Sequence, residues 1–181
     1  MGIGKMKFEC YHGTRADFAD NILNTKCYQP HGTRKDWLGE GCYFYVECKE
    51  SAFNYCITVK RIPPNNIVVL HTVIESEDYY DLTQRDVYAR YKFMLYRFRR
   101  RLSKQKDFKS YPRILDGEFL TVLHDELDYD YVVAKFKDNA KYKRGYSRIV
   151  NPNLLFGDNI KKVICVKNVS CIDSYSIKEA E

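Results

Sequence analysis

The sequence predicts an α+β protein built on a mostly antiparallel sheet. Three observations lead there. Strand-like segments outnumber helical ones. The helical segments cluster between them without the regular strand–helix–strand alternation of a parallel sheet. The chain also closes on "VICVKNVSCIDSYSI", which reads as one or two strands with no helix after them.

Taken in order, "MKFECYHG" alternates and reads as a strand ending at Tyr11. Thr14 begins a Thr-x-x-Asp capping pattern with Asp17. Phe18, Ala19, Ile22 and Leu23 follow at helical spacing, which predicts a short helix over 15–24. The tetrapeptide His-Gly-Thr-Arg of 12–15 returns at 31–34. The second copy follows a proline and lacks apolar periodicity after it, so it reads as loop, with His31 at the surface. A tetrapeptide in different flanks is not a structural repeat. "GEGCYFYVE" is a glycine-led aromatic strand. "CKESAFNYCITVK" is helical, with Ala52, Tyr55, Cys56 and Val59 on one face. "RIPPNN" breaks the chain, and "IVVLHTVIES" is a strand of β-branched residues in which His71 reads as structural.

From 83 to about 105 the spacing is helical again, with Val87, Tyr91, Leu95, Phe98 and Leu102 in one stripe. The other faces are basic: between Arg85 and Lys109 there are ten Lys or Arg and two Asp. "SYPRILDGE" is a break, "EFLTVLHDEL" a short helix and "YDYVVAKF" a strand. Residues 139–162 read as a long loop rich in Lys, Arg, Asn and Gly. The whole is one domain over 1–181 with a basic helical insertion at about 83–110.

Apolar residues make up 45% of the 181, enough for one core. The net charge of +6 is a modest bias towards anionic partners, not a nucleic-acid signature by itself. Seven cysteines without a CxxC pair, several inside apolar runs, read as reduced buried thiols in a cytosolic protein. No His–Cys cluster has zinc-ligand spacing, so no metal is expected. The N-terminus lacks a signal-peptide core and the myristoylation pattern, and no run approaches a membrane span. A cytoplasmic protein without a membrane partner is the expectation.

"YHGTRADFADNIL" and "GEGCYFYVECKESAFNYC", in this order and spacing, resemble the catalytic domain of poly(ADP-ribose) polymerases and their diphtheria-toxin-like bacterial relatives. The first stretch matches the family's His-Gly-Ser/Thr at a strand end followed by a short helix. The second matches its Gly-x-Gly-x-Tyr-Phe strand and Ser-Ala step into a helix, with one extra residue between Ala52 and the Tyr-Cys pair. The likeness is specific over 8–56, loose over 67–81 and 128–177, and scarcely present over 83–125. It implies split antiparallel sheets with flanking helices and a substrate, NAD, in a cleft between the first two strands.

The chemistry of the residues agrees with that implication. His12 would offer a hydrogen-bond donor to the ribose hydroxyls. Gly13 would let the backbone pair with the nicotinamide carboxamide, which Ser51 would also bond. Tyr43 and Tyr55 would stack on the nicotinamide ring, with Gly41 and Phe44 beside them. Thr14 and Arg15 would meet the adenosine ribose or the pyrophosphate. His12 and Tyr43 are the expected catalytic pair, acting on an oxocarbenium-like transition state.

The family's third motif departs from the pattern. Aligned on the last strands, its catalytic Glu falls at Val163, and members with an apolar residue there are mono-transferases or inactive. Glu118 is the first candidate for a substitute carboxylate, against the bland reading of a helix-start Glu. The resemblance therefore implies a toxin-like mono-ADP-ribosyltransferase. Such toxins often travel with a neutralising antitoxin protein. The basic helix, and Lys141, Lys143, Arg144 and Arg148 interleaved with Tyr142 and Tyr146, favour RNA or DNA as acceptor over protein. Four alternatives stay open: a protein-directed transferase, an NAD glycohydrolase, a non-catalytic NAD or ADP-ribose-binding module, and a basic RNA-binding module in which the motifs are accidental.

Overall fold

The computed structural model describes residues 4–104, 115–137, 149–152 and 160–181. Among these, seven strands form one sheet in the order β4-β5-β6-β2-β1-β3-β7. In chain order they are β1 (Met6–Arg15), β2 (Cys42–Val46), β3 (Ile67–Ser76), β4 (Tyr79–Asp81), β5 (Tyr131–Lys137), β6 (Ile160–Val166) and β7 (Ile172–Glu179). Every neighbouring pair is antiparallel except β4 and β5, which run parallel. The helices are α1 (Ala16–Thr25), α2 (Lys49–Thr58), α3 (Arg85–Ser103) and α4 (Asp116–Leu127).

Period-2 alternation sends the side chains of each central strand to two cores. Val132, Ala134 and Phe136 of β5, with Val163 and Cys165 of β6, join the cluster under α2, α3 and α4. Tyr131, Val133, Ile164 and Val166 join the opposite cluster, which α1 covers through Ala19 and Ile22. The α3 stripe seats Val87, Tyr91 and Leu95 in the first cluster, with Phe98 partly buried against it. The hydroxyl of Tyr91 donates to the buried Asp116 carboxylate at 2.6 Å and ties α3 to the start of α4. All seven cysteines are free thiols, five of them buried. Among the described residues no helix is long and apolar enough to cross a membrane.

Several boundaries differ from expectation. Strand β1 does not stop at Tyr11. It continues to Arg15 because β3 pairs with it residue for residue, from Met6–Ser76 to Arg15–Ile67. Thr14 therefore lies in a strand opposite Val68 and does not cap α1, whose N-cap is Arg15 with no side-chain cap bond. Val59 falls at the C-cap of α2 and is exposed. Residues 160–162, expected in a loop, belong to β6, where Lys161 and Lys162 pair with Phe136 and Lys135. Strand β4 was not anticipated.

The expected two separate sheets are replaced by one, but its middle is narrow. Strands β1 and β2 share two ladder pairs, Cys10 with Val46 and Tyr11 with Tyr45. From His12 onward the edge of β1 facing β2 has no ladder partner. On the far side β2 pairs with β6 throughout Cys42–Tyr45. The sheet is thus open between His12–Arg15 and Cys42–Phe44.

Candidate functional site

A cavity of about 710 Å³ occupies this opening. Its walls come from β1 (His12, Gly13, Thr14, Arg15), from Tyr43 and Tyr45 of β2, from Ala52 and Tyr55 of α2, and from Val163 of β6. Because β1 and β2 part here, the cavity draws on both faces of the sheet. Tyr28 and Ile22 belong to the α1 side, whereas Trp37, Tyr45 and Tyr55 belong to the α2 side. The size lies within the range of small-molecule sites, and the lining is largely aromatic and apolar.

His12 bridges the gap in the sheet. Its Nδ1 lies 2.8 Å from the carbonyl oxygen of Tyr43. A carbonyl only accepts, so Nδ1 carries the proton and Nε2 of the neutral ring presents a lone pair. The expected donor to a ribose is therefore an acceptor: a ligand hydroxyl would donate to Nε2. Tyr28 and Phe44 pack against the ring, each with its centroid 5.5 Å away. Burial lowers the His12 pKa from 6.5 to about 4, the bond to Tyr43 opposing the shift, so the ring is neutral at pH 7.

Gly13 is required by packing. A Cβ there would lie 2.3 Å from the carbonyl oxygen of Ala52 and 2.8 Å from Sγ of Cys56. Helix α2 sits directly on β1 because this residue has no side chain, and that seating fixes Tyr55 in the cavity wall. Arg15, at the rim, forks onto Asp17 through Nε at 3.0 Å and Nη2 at 2.5 Å, and covers Phe18 at 4.7 Å.

Tyr43 presents its ring to the cavity, but its hydroxyl is already used. It donates to the Gly39 carbonyl at 2.6 Å and accepts from the Leu38 amide at 2.9 Å. Burial raises its pKa. Lys167 adds bonds from Nζ to the carbonyls of Leu38, at 2.8 Å, and Glu40. The 36–41 turn is thereby fastened to the sheet from two directions. Gly41 has φ of +148°, and a Cβ on it would strike the Val166 carbonyl oxygen at 2.4 Å. This glycine serves the close approach of the turn to β6 and does not line the cavity.

Phe44 and Ser51 also lie off the cavity wall. Phe44 is fully buried beneath His12, in contact with Tyr28. Ser51 is buried at the start of α2, with Oγ 3.0 Å from Sγ of Cys48. Glu118 is spent as a helix cap, its Oε2 accepting from the Leu115 amide at 2.9 Å. Val163 is buried between Tyr45 and Ala134 in the sheet, so the cavity wall is apolar there and carries no carboxylate at this position. The Lys and Tyr residues of 141–148 lie outside the described residues.

Other wall residues had no motif to announce them. Trp37 stands edge-on to Tyr55 at 5.7 Å and leans on Phe136 at 5.1 Å. Tyr28 is buried, lines the cavity with its ring, and has a sealed hydroxyl without a hydrogen-bond partner. Lys60, whose Nζ lies 6.0 Å from the Tyr55 ring, adds a positive charge. His31, expected merely at the surface, is exposed yet also lines the cavity, so both His-Gly-Thr-Arg copies meet there. Asp36 supplies the carboxylate among the described lining residues. The chance to find Asp36 and Trp37 lay in "KDWLGEG", where the chain's single tryptophan precedes the glycine turn. The chain matches no protein-family model, no curated protein and no solved structure.

Proposed function

We propose that the protein is a mono-ADP-ribosyltransferase of the diphtheria-toxin-like class, moving ADP-ribose from NAD to a nucleic-acid acceptor, RNA or DNA. The observation that carries this reading is the cavity in the opening between β1 and β2, with His12 anchored on the Tyr43 carbonyl in its wall. The unpaired β1 edge from His12 offers backbone groups to a carboxamide. The rings of Tyr43 and Tyr55 offer faces for nicotinamide. Nε2 of His12 would accept from a ribose hydroxyl. Lys60 and Arg15 supply positive charge for a pyrophosphate.

The reaction would proceed by departure of neutral nicotinamide from a rigid seat, leaving an oxocarbenium-like ribose for the acceptor. The apolar floor at Val163 supports single transfer over chain elongation. An outward face of α3 supports the choice of acceptor. Phe93 and Tyr96 are 59% and 56% exposed, among exposed Arg90, Arg97, Arg100 and Arg101. Exposed rings between arginines suit unstacked bases and phosphates. A non-catalytic NAD or ADP-ribose-binding module is the second reading, favoured by Val163 alone.

The test is to incubate the protein with labelled NAD and a mixture of RNA, DNA and protein, and to follow the label and the nicotinamide released. Labelled nucleic acid, lost in His12→Ala and Tyr43→Ala, is expected. Full transfer in both variants would sink the assignment, and nucleotide binding without nicotinamide release would favour the second reading. Toxicity on expression, relieved by His12→Ala, would add a toxin role, for which an antitoxin partner in the cytoplasm would be sought.

A further inference from the structure

The second His-Gly-Thr-Arg copy is unexplained by the reading above, yet it reaches the same cavity. His31 is fixed twice. Its carbonyl accepts from the Gly41 amide at 3.0 Å, in an isolated antiparallel bridge that joins the loop to the turn before β2. Its ring Nδ1 lies 3.2 Å from the carbonyl oxygen of Gln29. That oxygen can only accept, so Nδ1 bears the proton and Nε2 carries the free lone pair. His31 is exposed, whereas His12 is packed beneath two aromatic rings. The two are close enough for a charge on His31 to be felt at His12.

An acceptor that carries a proton must lose it as its bond to ribose forms. The cavity floor offers no group for this, since Val163 is apolar and Glu118 caps a helix. His12 is bound to Tyr43 through Nδ1, and its Nε2 is taken by the ribose hydroxyl in this reading. Asp36 is turned back onto its own loop, its Oδ2 accepting from the Thr33 amide at 2.7 Å. His31 combines a lone pair, a fixed ring and access from solvent.

We propose that His31 is the general base of the transfer, a role that rests on the ADP-ribosyltransferase reading. A hydroxyl or amino group of the nucleic acid attacks the anomeric carbon of the nicotinamide ribose. The carbon–nitrogen bond breaks and its electron pair stays on the nicotinamide nitrogen, which becomes neutral. The acceptor's proton passes to Nε2 of His31, and the imidazolium returns it to solvent.

A base is dispensable for a nucleophile without a proton, so azide separates this role from a structural one. His31→Gln is expected to lower transfer to an oligonucleotide about a hundredfold, the lower end of general-base contributions. It should leave NAD affinity and formation of ADP-ribosyl azide, read by mass spectrometry, within about twofold of wild type. Unchanged transfer to the oligonucleotide, or equal loss with oligonucleotide and azide, overturns the role of His31 while leaving the transferase reading intact. A wild-type protein that consumes no NAD with either nucleophile overturns the transferase reading itself.

Discussion

Tyr43→Phe separates the ring of this residue from its hydroxyl. The ring lines the cavity and is retained. The hydroxyl loses one bond to the Gly39 carbonyl and one from the Leu38 amide. Leu38 is fully buried, so water cannot replace the partner of its amide. Two net hydrogen bonds at about 1 kcal/mol each, plus about 1 kcal/mol for the stranded amide, give a loss of about 3 kcal/mol. For a chain of this length that corresponds to a fall in Tm of roughly 6 to 12 °C. A thermal scan and urea unfolding read it, with the urea midpoint moving at constant slope. Tyr43→Ala removes the ring as well and should cost roughly 1 to 2 kcal/mol more, towards the upper end of aromatic truncations. A Tyr43→Phe protein melting within about 1 °C of wild type would refute the idea that the hydroxyl fastens the 36–41 turn.

Gly13→Ala places a methyl group against the Ala52 carbonyl and the Cys56 sulfur, so it should destabilise by about 2 to 3 kcal/mol in urea and weaken ligand binding by displacing Tyr55. His12 gives a pH signature. Its folded pKa, about 4, lies below its ordinary 6.5, so the unfolded chain binds the extra proton first as pH falls. The contribution is complete above about 6.5 and is lost on descent to about 4, at most ~3 kcal/mol in all. Urea midpoints between pH 7 and 4.5 should drop less in His12→Gln than in wild type. Reversing Arg97, Arg100 and Arg101 to Glu should weaken oligonucleotide binding and flatten its salt dependence, measured by fluorescence anisotropy, without changing Tm by more than about 2 °C.

Much of the sheet was legible because its strands alternate cleanly or run β-branched, and α3 because its apolar stripe holds spacing from Val87 to Leu102, about four turns. Tyr79–Asp81 escaped because three residues are too few to show a period. Residues 12–15 looked like a helix entry because a Gly followed by Thr-x-x-Asp mimics a cap. Only the pairing partner in β3, far along the chain, keeps them extended. Among the cavity-wall residues, His12, Tyr43 and Tyr55 carried motif signals, although His12 lies within β1 and not at its end. Ser51, Phe44 and Gly41 were drawn in by the same motif, yet they support the wall from behind. His31, Asp36 and Trp37 come from a loop, where position depends on anchors such as Lys167 that no local pattern reveals.

The two-pair junction between β1 and β2 also has a mechanical meaning. On one side β1 is bonded to β3 over ten residues, and on the other β2 is bonded to β6 over four. Between these stiff halves stand two ladder pairs, the amide of Glu47 on the Glu9 carbonyl, and the imidazole of His12. Backbone pairing is therefore thinnest at one seam, and the seam lies at the end of the cavity. An occupant that wedges between Tyr43 and His12 works against this short crease rather than against a whole sheet.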